Sequence, residues 1–443
     1  MPGFAVVLWA MQTTSSSVPD TPPTPMHAAG PVRLVVAGGG AAGLMAAGQA
    51  ALCGAEVVVL EKMGRPGRKL CITGKGRCNL TNVAPLPEFL GHFGPTAPFL
   101  RQAFHRFFTP ELLEFLRELG LAVVTERGGR VFPASGKAPE VLAALERWLA
   151  RCGATIRTGV TVDRLALDTG VLTGVVCGGT TIACDALILA TGGASYPLTG
   201  STGDGYRLAE AAGHRIVPIR PALVPLIADG DAAGRMAGLQ LRNIRARLFL
   251  DGKKKAEDFG EMAFTEDGVS GPVILTLSGR IVDALAERRE IHLLLDLKPA
   301  LDEKKLDARL VRDFEQRRLE PLASVLRGLL PQEMVAVALE ETGLNPDRPA
   351  GTIRSEERKR LRHWLKNFRL RIIGHRPLAE AIVTAGGVDT REVDPRTMES
   401  RLVHGLYFAG EVLDLQADTG GYNLQAAFST GWLAGRAAAG QAE

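Results

Sequence analysis

Aromatic residues make up only 5% of the 443-residue sequence, too few for a wide platform that stacks nucleic-acid bases. Net charge is small as well, +4 at pH 7. That balance permits an anionic ligand but is no basic footprint, so nucleic acid is not expected as a partner. No apolar run approaches the ~18–20 residues needed to cross a bilayer. The six cysteines (53, 71, 78, 152, 177 and 184) contain no CxxC pair. Cys71 and Cys78 fit no common zinc knuckle, so no metal site is expected. An even count is weak evidence for disulfides in so long a chain, and a reduced, cytoplasmic protein is expected. SGKA at Ser135 lacks the Ser or Thr that would complete a phosphate loop, and neither HExxH nor GxSxG occurs. P-loop nucleotide hydrolysis, zinc proteolysis and nucleophile-elbow hydrolysis are thereby excluded as motif-supported readings.

What is present begins with glycine, 51 residues of it, which points to tight turns and close backbone–ligand approach. The length suggests about two or three domains. Residues 1–31 open on an apolar patch with no basic residue before it, a poor signal peptide. The Thr-, Ser- and Pro-rich remainder of this stretch is expected to be disordered, with Met26 an alternative start of translation. RLVVA from Arg33 is a strand, GGGAAG follows, then an Ala-rich helix and a second strand ending at Glu61. After Ala154 short strands separated by Gly and Asp form a meander that closes on ALILA and Thr191-Gly192-Gly193. Thr109-Pro110 is read as the N-cap and first residue of a helix. Residues 215–300 look mostly β, and 301–377 charged and helical. The α/β pattern resumes over 378–443, so the first unit, 32–214, is interrupted by inserted material.

Gly38, Gly40 and Gly43 satisfy G-x-G-x-x-G between strand and helix, with Glu61 eighteen residues on at the end of the next strand. That context makes a weak pattern strong. Gly38 permits the turn, Gly40 lets backbone approach a pyrophosphate, and Gly43 lets helix and strand pack closely. Glu61 can accept hydrogen bonds from ribose hydroxyls. No second such motif marks a site for NAD(P)H.

With the meander, the ATGG turn and the later GLYFAGE, the chain resembles the FAD-binding fold of two-dinucleotide-binding flavoproteins. GRKLCITGKGRCNLTN, RPLAEAIVTAGGV, TMESRLVHGLYFAGEVLD and DTGGYNLQAAFSTGWLAG extend the likeness to the HI0933-like flavoproteins, which include BaiN-type reductases and aminoacetone oxidase. The resemblance implies a Rossmann-like FAD domain interrupted by a β-rich, barrel-like domain and a small helical domain. It places Gly38, Gly40, Ala42, Gly43, Glu61 and Lys62 around the dinucleotide. Arg68, Lys69, Gly74, Arg77 and Asn79 come from the loop that passes the flavin, where Cys78 is expected as a buried thiol. Thr191, Gly192 and Gly193 end a strand beside it, and Gly410 and Glu411 approach the ribityl or pyrophosphate. Asn423, Leu424 and Gln425 are amide donors to the pyrimidine end.

Tyr422 is a proton donor or a packing residue. His375 and Arg376 stand at the expected cleft, where a cleft Arg could bind a carboxylate; His214, Tyr196 and Asp204 are further edge candidates. The implied activity is hydride transfer between flavin N5 and a small organic substrate, first as reduction of an activated C=C bond with NAD(P)H as transient reductant. Oxidation of a small amine by O₂ is the second reading. An RNA-associated flavoprotein, suggested by Lys253-Lys254-Lys255 and the basic helix near Arg358, is the third.

Overall fold

The computed structural model describes residues 30–441; the expectations for the N-terminal stretch otherwise lie outside them. Five parallel strands form the central sheet, in the order Leu406–Phe408, Ala186–Leu189, Arg33–Ala37, Glu56–Glu61 and Thr155–Thr158. The strand Arg33–Ala37 is apolar after its first residue because it is buried on both faces. The expected meander is there: Arg164–Asp168, Val171–Cys177 and Thr180–Ala183 form an antiparallel sheet.

The last helix, Tyr422–Ala438, packs along the first, Ala41–Leu52. Small residues make this approach backbone to backbone. A Cβ on Gly431 would stand 2.4 Å from the Ala42 carbonyl oxygen, and one on Gly435 2.3 Å from that of Ala46. The helix Tyr422–Ala438 is thereby locked against Ala41–Leu52.

The insertion contains a closed antiparallel barrel of six strands: Leu226–Ala228, Gly268–Ser270, Lys253–Phe264, Gln240–Leu250, Ile291–Asp296 and Phe368–His375. Its closing strand, Phe368–His375, lies inside the stretch read as helical. Four helices between Glu303 and Lys366 fill the gap between the fifth and sixth strands. They have no core of their own: Leu306, Leu361 and Trp364 join Leu293, Phe264 and Phe368 of the barrel in one apolar cluster. The basic face of Ser355–Lys366 is tied down by ion pairs, with Arg358 and Arg362 both on Asp307 at 3.1 and 3.0 Å. Ile216–Ala222 and Val383–Val388 form an antiparallel ribbon at the crossing between the two cores.

One cap differs from the expectation. The helix Thr109–Glu118 has Phe108 as N-cap, its amide held by Glu111 Oε2 at 2.9 Å. Thr109 instead turns inward and donates to the Asn82 carbonyl at 2.9 Å.

Candidate functional site

Gly38 ends its strand at φ +105°, a conformation that disfavours any side chain, and a Cβ there would also strike the Ala190 carbonyl at 2.5 Å. Gly43 is closed in the same way: its Cβ would fall 1.9 Å from the Gly38 carbonyl oxygen. Gly40, between them, has no protein atom within 4 Å of a Cβ position. It faces a cavity of about 900 Å³ that runs from this turn to the barrel wall.

Of the helices that start at this cavity, two follow the glycine turns of the G-x-G-x-x-G and DTGGYNLQ motifs. Ala41–Leu52 begins after Gly40 and Tyr422–Ala438 after Gly421, and neither has a side-chain cap. Gly40, Ala41, Gly421 and Asn423 all line the cavity. Each helix start carries backbone N–H groups without intrahelical partners and a partial positive charge, the arrangement that binds anions. Thr191 Oγ1, also in this wall, is buried with no hydrogen-bond partner. Open donors at both helix starts, an orphaned hydroxyl and the space at Gly40 fit a bound dinucleotide.

Glu61 is buried, and its carboxylate braces the turn. Oε2 accepts from the Gly39 amide and Oε1 from the Met63 amide, each at 2.8 Å. The same side chain lines the cavity. Lys62 binds Thr202 and Asp204, the latter at 2.6 Å. Lys69 Nζ lies 2.7 Å from both Ser195 Oγ and Glu411 Oε2, while Glu411 Oε1 accepts from the Thr384 amide at 2.8 Å. This network joins the loop after the second strand to the turn at Gly410. Arg77 pairs with Glu126 and lies 4.1 Å over the Phe132 ring. Among the described residues the Arg68 side chain has neither an ion pair nor a hydrogen bond, and it lines the cavity, where it is available to an anionic ligand.

The opening of the 67–82 loop is helical, from Arg68, and is broken by non-helical angles at Thr73, Gly74 and Lys75. Asn79 closes it when its amide is turned to match its neighbours: the oxygen then accepts from the Gly421 amide at 3.0 Å, and the nitrogen donates to the Thr81 and Val131 carbonyls at 3.2 and 3.3 Å. Cys71 and Cys78 are free thiols, and burial pushes Cys78 up to about 12.

Gly38, Gly40, Ala42, Glu61, Lys62 and Arg68 therefore share one cavity with Lys69, Gly74, Arg77 and Asn79. Thr191, Gly192, Gly410, Glu411, Asn423 and Leu424 complete it, with Tyr196 and Asp204 at its edge. Other candidates fall outside that wall. Gly193 packs against Thr384, where a Cβ would be 2.4 Å from Oγ1. Gln425 has no exposed surface: its amide N–H closes a helical bond to Gly421 at 3.1 Å, and its side chain accepts from Thr81 Oγ1 at 2.6 Å. Asn423, although in the wall, commits its side chain to Ala417, at 2.9 and 3.0 Å. Tyr422 packs against Phe89 at 4.7 Å and stacks on His92 at 3.9 Å. Arg376 is saturated by Glu380 and Asp267, and His375 Nδ1 contacts the Arg376 carbonyl at 2.8 Å. His214 is buried beside Phe408 and contacts Ser400 Oγ at 2.7 Å.

Some residues of the site carried no sequence signal of their own. Asp418, which opens the DTGGYNLQ motif, lines the wall and contacts His92 Nδ1 at 2.8 Å; no motif around residue 92 would bring that histidine here. Arg242 and Glu261 come from the barrel.

The HI0933-like protein Rossmann domain model matches residues 32–437. The chain belongs to this HI0933-like family. It is 36% identical over 409 residues to the 3-dehydro-bile acid delta(4,6)-reductase of Clostridium scindens, covering 92% of this chain and 99% of that one. It is 31% identical over 407 residues to the ribosomal RNA dihydrouridine synthase of Escherichia coli, covering 90% and 96%. Among solved structures, an open flavocytochrome c3 fumarate reductase shares the fold, with a TM-score of 0.50 and 16% identity over 94% of this chain and 79% of that one. This HI0933-like chain is thus a flavoprotein of the oxidoreductase class with an FAD-binding Rossmann-type domain, a barrel and helices. Among its described residues no helix is long and apolar enough to cross a membrane.

Proposed function

We propose that this chain is an FAD-dependent reductase that saturates an activated carbon–carbon double bond, with NAD(P)H as the transient source of electrons. The observation that supports it most is the continuous cavity bounded by the glycine turn on one side and the barrel on the other. One space can there hold a cofactor and a substrate side by side. The two relatives agree in chemistry: a delta(4,6)-reductase and an enzyme that makes dihydrouridine both carry names for the saturation of a double bond conjugated to a carbonyl.

FAD, when bound, supplies the two-electron chemistry. Gly40, Thr191 and the two helix starts would hold its phosphates and polar edges, and Glu61 its ribose. The chain's own residues also bring a proton. Asp418 is in the cavity wall, 2.8 Å from His92 Nδ1, and the His92 side chain is 29% exposed. His92 therefore connects a cavity carboxyl to solvent, a role that the packed Tyr422 hydroxyl, pushed up to about 12 by burial, is poorly suited to fill.

Anaerobic mixing tests the reading. NADH or NADPH should bleach the visible flavin band, and a conjugated enone should restore it without oxygen. Bleaching by small amines alone, with peroxide formed in air, would establish the oxidase reading instead. A second reading, with uridine in RNA as substrate, rests on the 31%-identical relatives of that name. It predicts that the enone role is taken by a uridine-containing RNA and that binding weakens steeply with salt.

A further inference from the structure

The barrel wall of the cavity contains a local irregularity. Strand Gln240–Leu250 pairs with Lys253–Phe264 so that Leu241 faces Met262 and Ile244 faces Gly260. Arg242 and Asn243 therefore oppose the single residue Glu261, which is a β-bulge. Asn243 adopts φ +55°, left-handed for a non-glycine residue. Leu241 and Ile244 are buried while Arg242 and Asn243 between them are both exposed, so the strand's alternation is broken at this point. Bulges with such backbone strain re-aim side chains and gather near functional sites.

The residue re-aimed is Arg242, and it lines the cavity. It is the one cation that the barrel contributes to that wall among the described residues. Unlike Lys62, Lys69 and Arg77, which have carboxylate partners, the Arg242 side chain has no ion pair and no hydrogen bond among the described residues. Glu261 stands opposite in the register and also lines the cavity, but no ion pair within 4 Å joins the two. A guanidinium with five donors, facing a ligand space and unmatched by protein, is suited to bidentate recognition of a carboxylate or a phosphate.

We propose that Arg242, presented by the Asn243 bulge, anchors an anionic group of the substrate on the barrel side of the cavity. This rests on the reductase reading for the identity of the ligand as a substrate, but anion binding can be measured apart from turnover. The shared chemistry is an oxyanion, with a small-molecule carboxylate or a nucleotide phosphate as its sources. Arg376, expected from its place in the chain to hold a carboxylate, is neutralised by two acidic residues; Arg242 fills that role from another strand.

The test uses the FAD-loaded protein and follows perturbation of the visible flavin band. The probes are a 3-oxo-4,6-dienoic bile acid with its methyl ester, and uridine 5′-monophosphate with uridine. In the wild type the anion of at least one pair should bind about 10- to 100-fold more tightly than its neutral partner, as expected for charge-assisted hydrogen bonds. Which pair shows the difference identifies carboxylate or phosphate as the source. Arg242→Gln should abolish the preference with FAD content unchanged. Asn243→Val, whose β-branched residue resists the left-handed conformation, should abolish it as well, whereas Asn243→Gly should keep it. Equal binding of anion and neutral partner in both pairs, or a preference that survives Arg242→Gln, overturns the proposal. If the preference disappears as expected but no enone reoxidises the reduced protein, the anion site stands and the reductase reading falls. If enones turn over without any anion preference, the reverse holds.

Discussion

Gly40 and Gly43 belong to one motif yet should fail in different ways when each receives a methyl group. At Gly43 the new Cβ would lie 1.9 Å from the Gly38 carbonyl oxygen. Reaching even the 3.0 Å limit of real contacts requires about 1.1 Å of separation between the first helix and the turn. Both sides are backbone, so no side chain can swing aside. Overpacking of this kind costs about 1–3 kcal/mol, and Gly43→Ala should lower the urea midpoint of the apoprotein accordingly. At Gly40 the backbone angles, φ −84° and ψ −172°, suit alanine, and no protein atom is near. The gain from a less flexible unfolded chain, about 0.4–1 kcal/mol, and the poorer N-cap offset each other. Apoprotein stability should then change by less than about 1 kcal/mol. The methyl group occupies ligand space instead. Loss of one charge-assisted hydrogen bond to phosphate, about 1.5–3 kcal/mol, corresponds to roughly 10- to 150-fold in Kd. Urea unfolding of stripped protein and FAD titration by quenching of flavin fluorescence separate the two effects. A Gly40→Ala protein that binds FAD as well as wild type, or a Gly43→Ala protein with an unchanged midpoint, would refute this division of labour.

Other consequences are as specific. Lys69→Met leaves the part-buried Glu411 carboxylate without its cation and should destabilise by about 1–3 kcal/mol, discounted for partial exposure; combining it with Glu411→Gln should recover part of the loss in the same unfolding assay. Burial holds His214 below its ordinary range against the opposing pull of Glu392. The unfolded chain therefore binds the proton first as pH falls, so stability present above about pH 6.5 should decline below it, and His214→Gln should flatten that slope in urea titrations. Cys78, raised to about 12 and fully buried, should resist iodoacetamide at mildly alkaline pH until the protein is unfolded, and reductant should not move the unfolding midpoint.

Legibility followed the range of the physics. The glycine turn, its strand, helix and Glu61 lie within thirty residues, and short-range sterics fix them, so the sequence carried their arrangement. The alternation of IRARLFLD, from Ile244, was equally plain. Phe368–His375 was harder to recognise as a strand because it follows a charged helix directly and draws its partners from Ile291–Asp296 and Leu226–Ala228. Site chemistry was least legible where pairing decides it. Arg376 reads like a ligand anchor until Asp267, over a hundred residues away, is found beside it. Gln425 reads like a donor until the core receives its side chain. Nothing local in LRNI announces that Arg242 sits on a bulge, because the extra residue exists only relative to the strand across from it.

The pairing of Gly431 and Gly435 with Ala42 and Ala46 has a consequence for biogenesis. Roughly 380 residues separate the two helix starts along the chain. At about 5–20 residues per second, a ribosome takes some tens of seconds to follow the first half of the cradle with the second. The nascent protein carries an exposed glycine turn throughout that interval, while the barrel, complete by His375, can already fold. Cofactor capture thus waits until the helix Tyr422–Ala438 has left the ribosome.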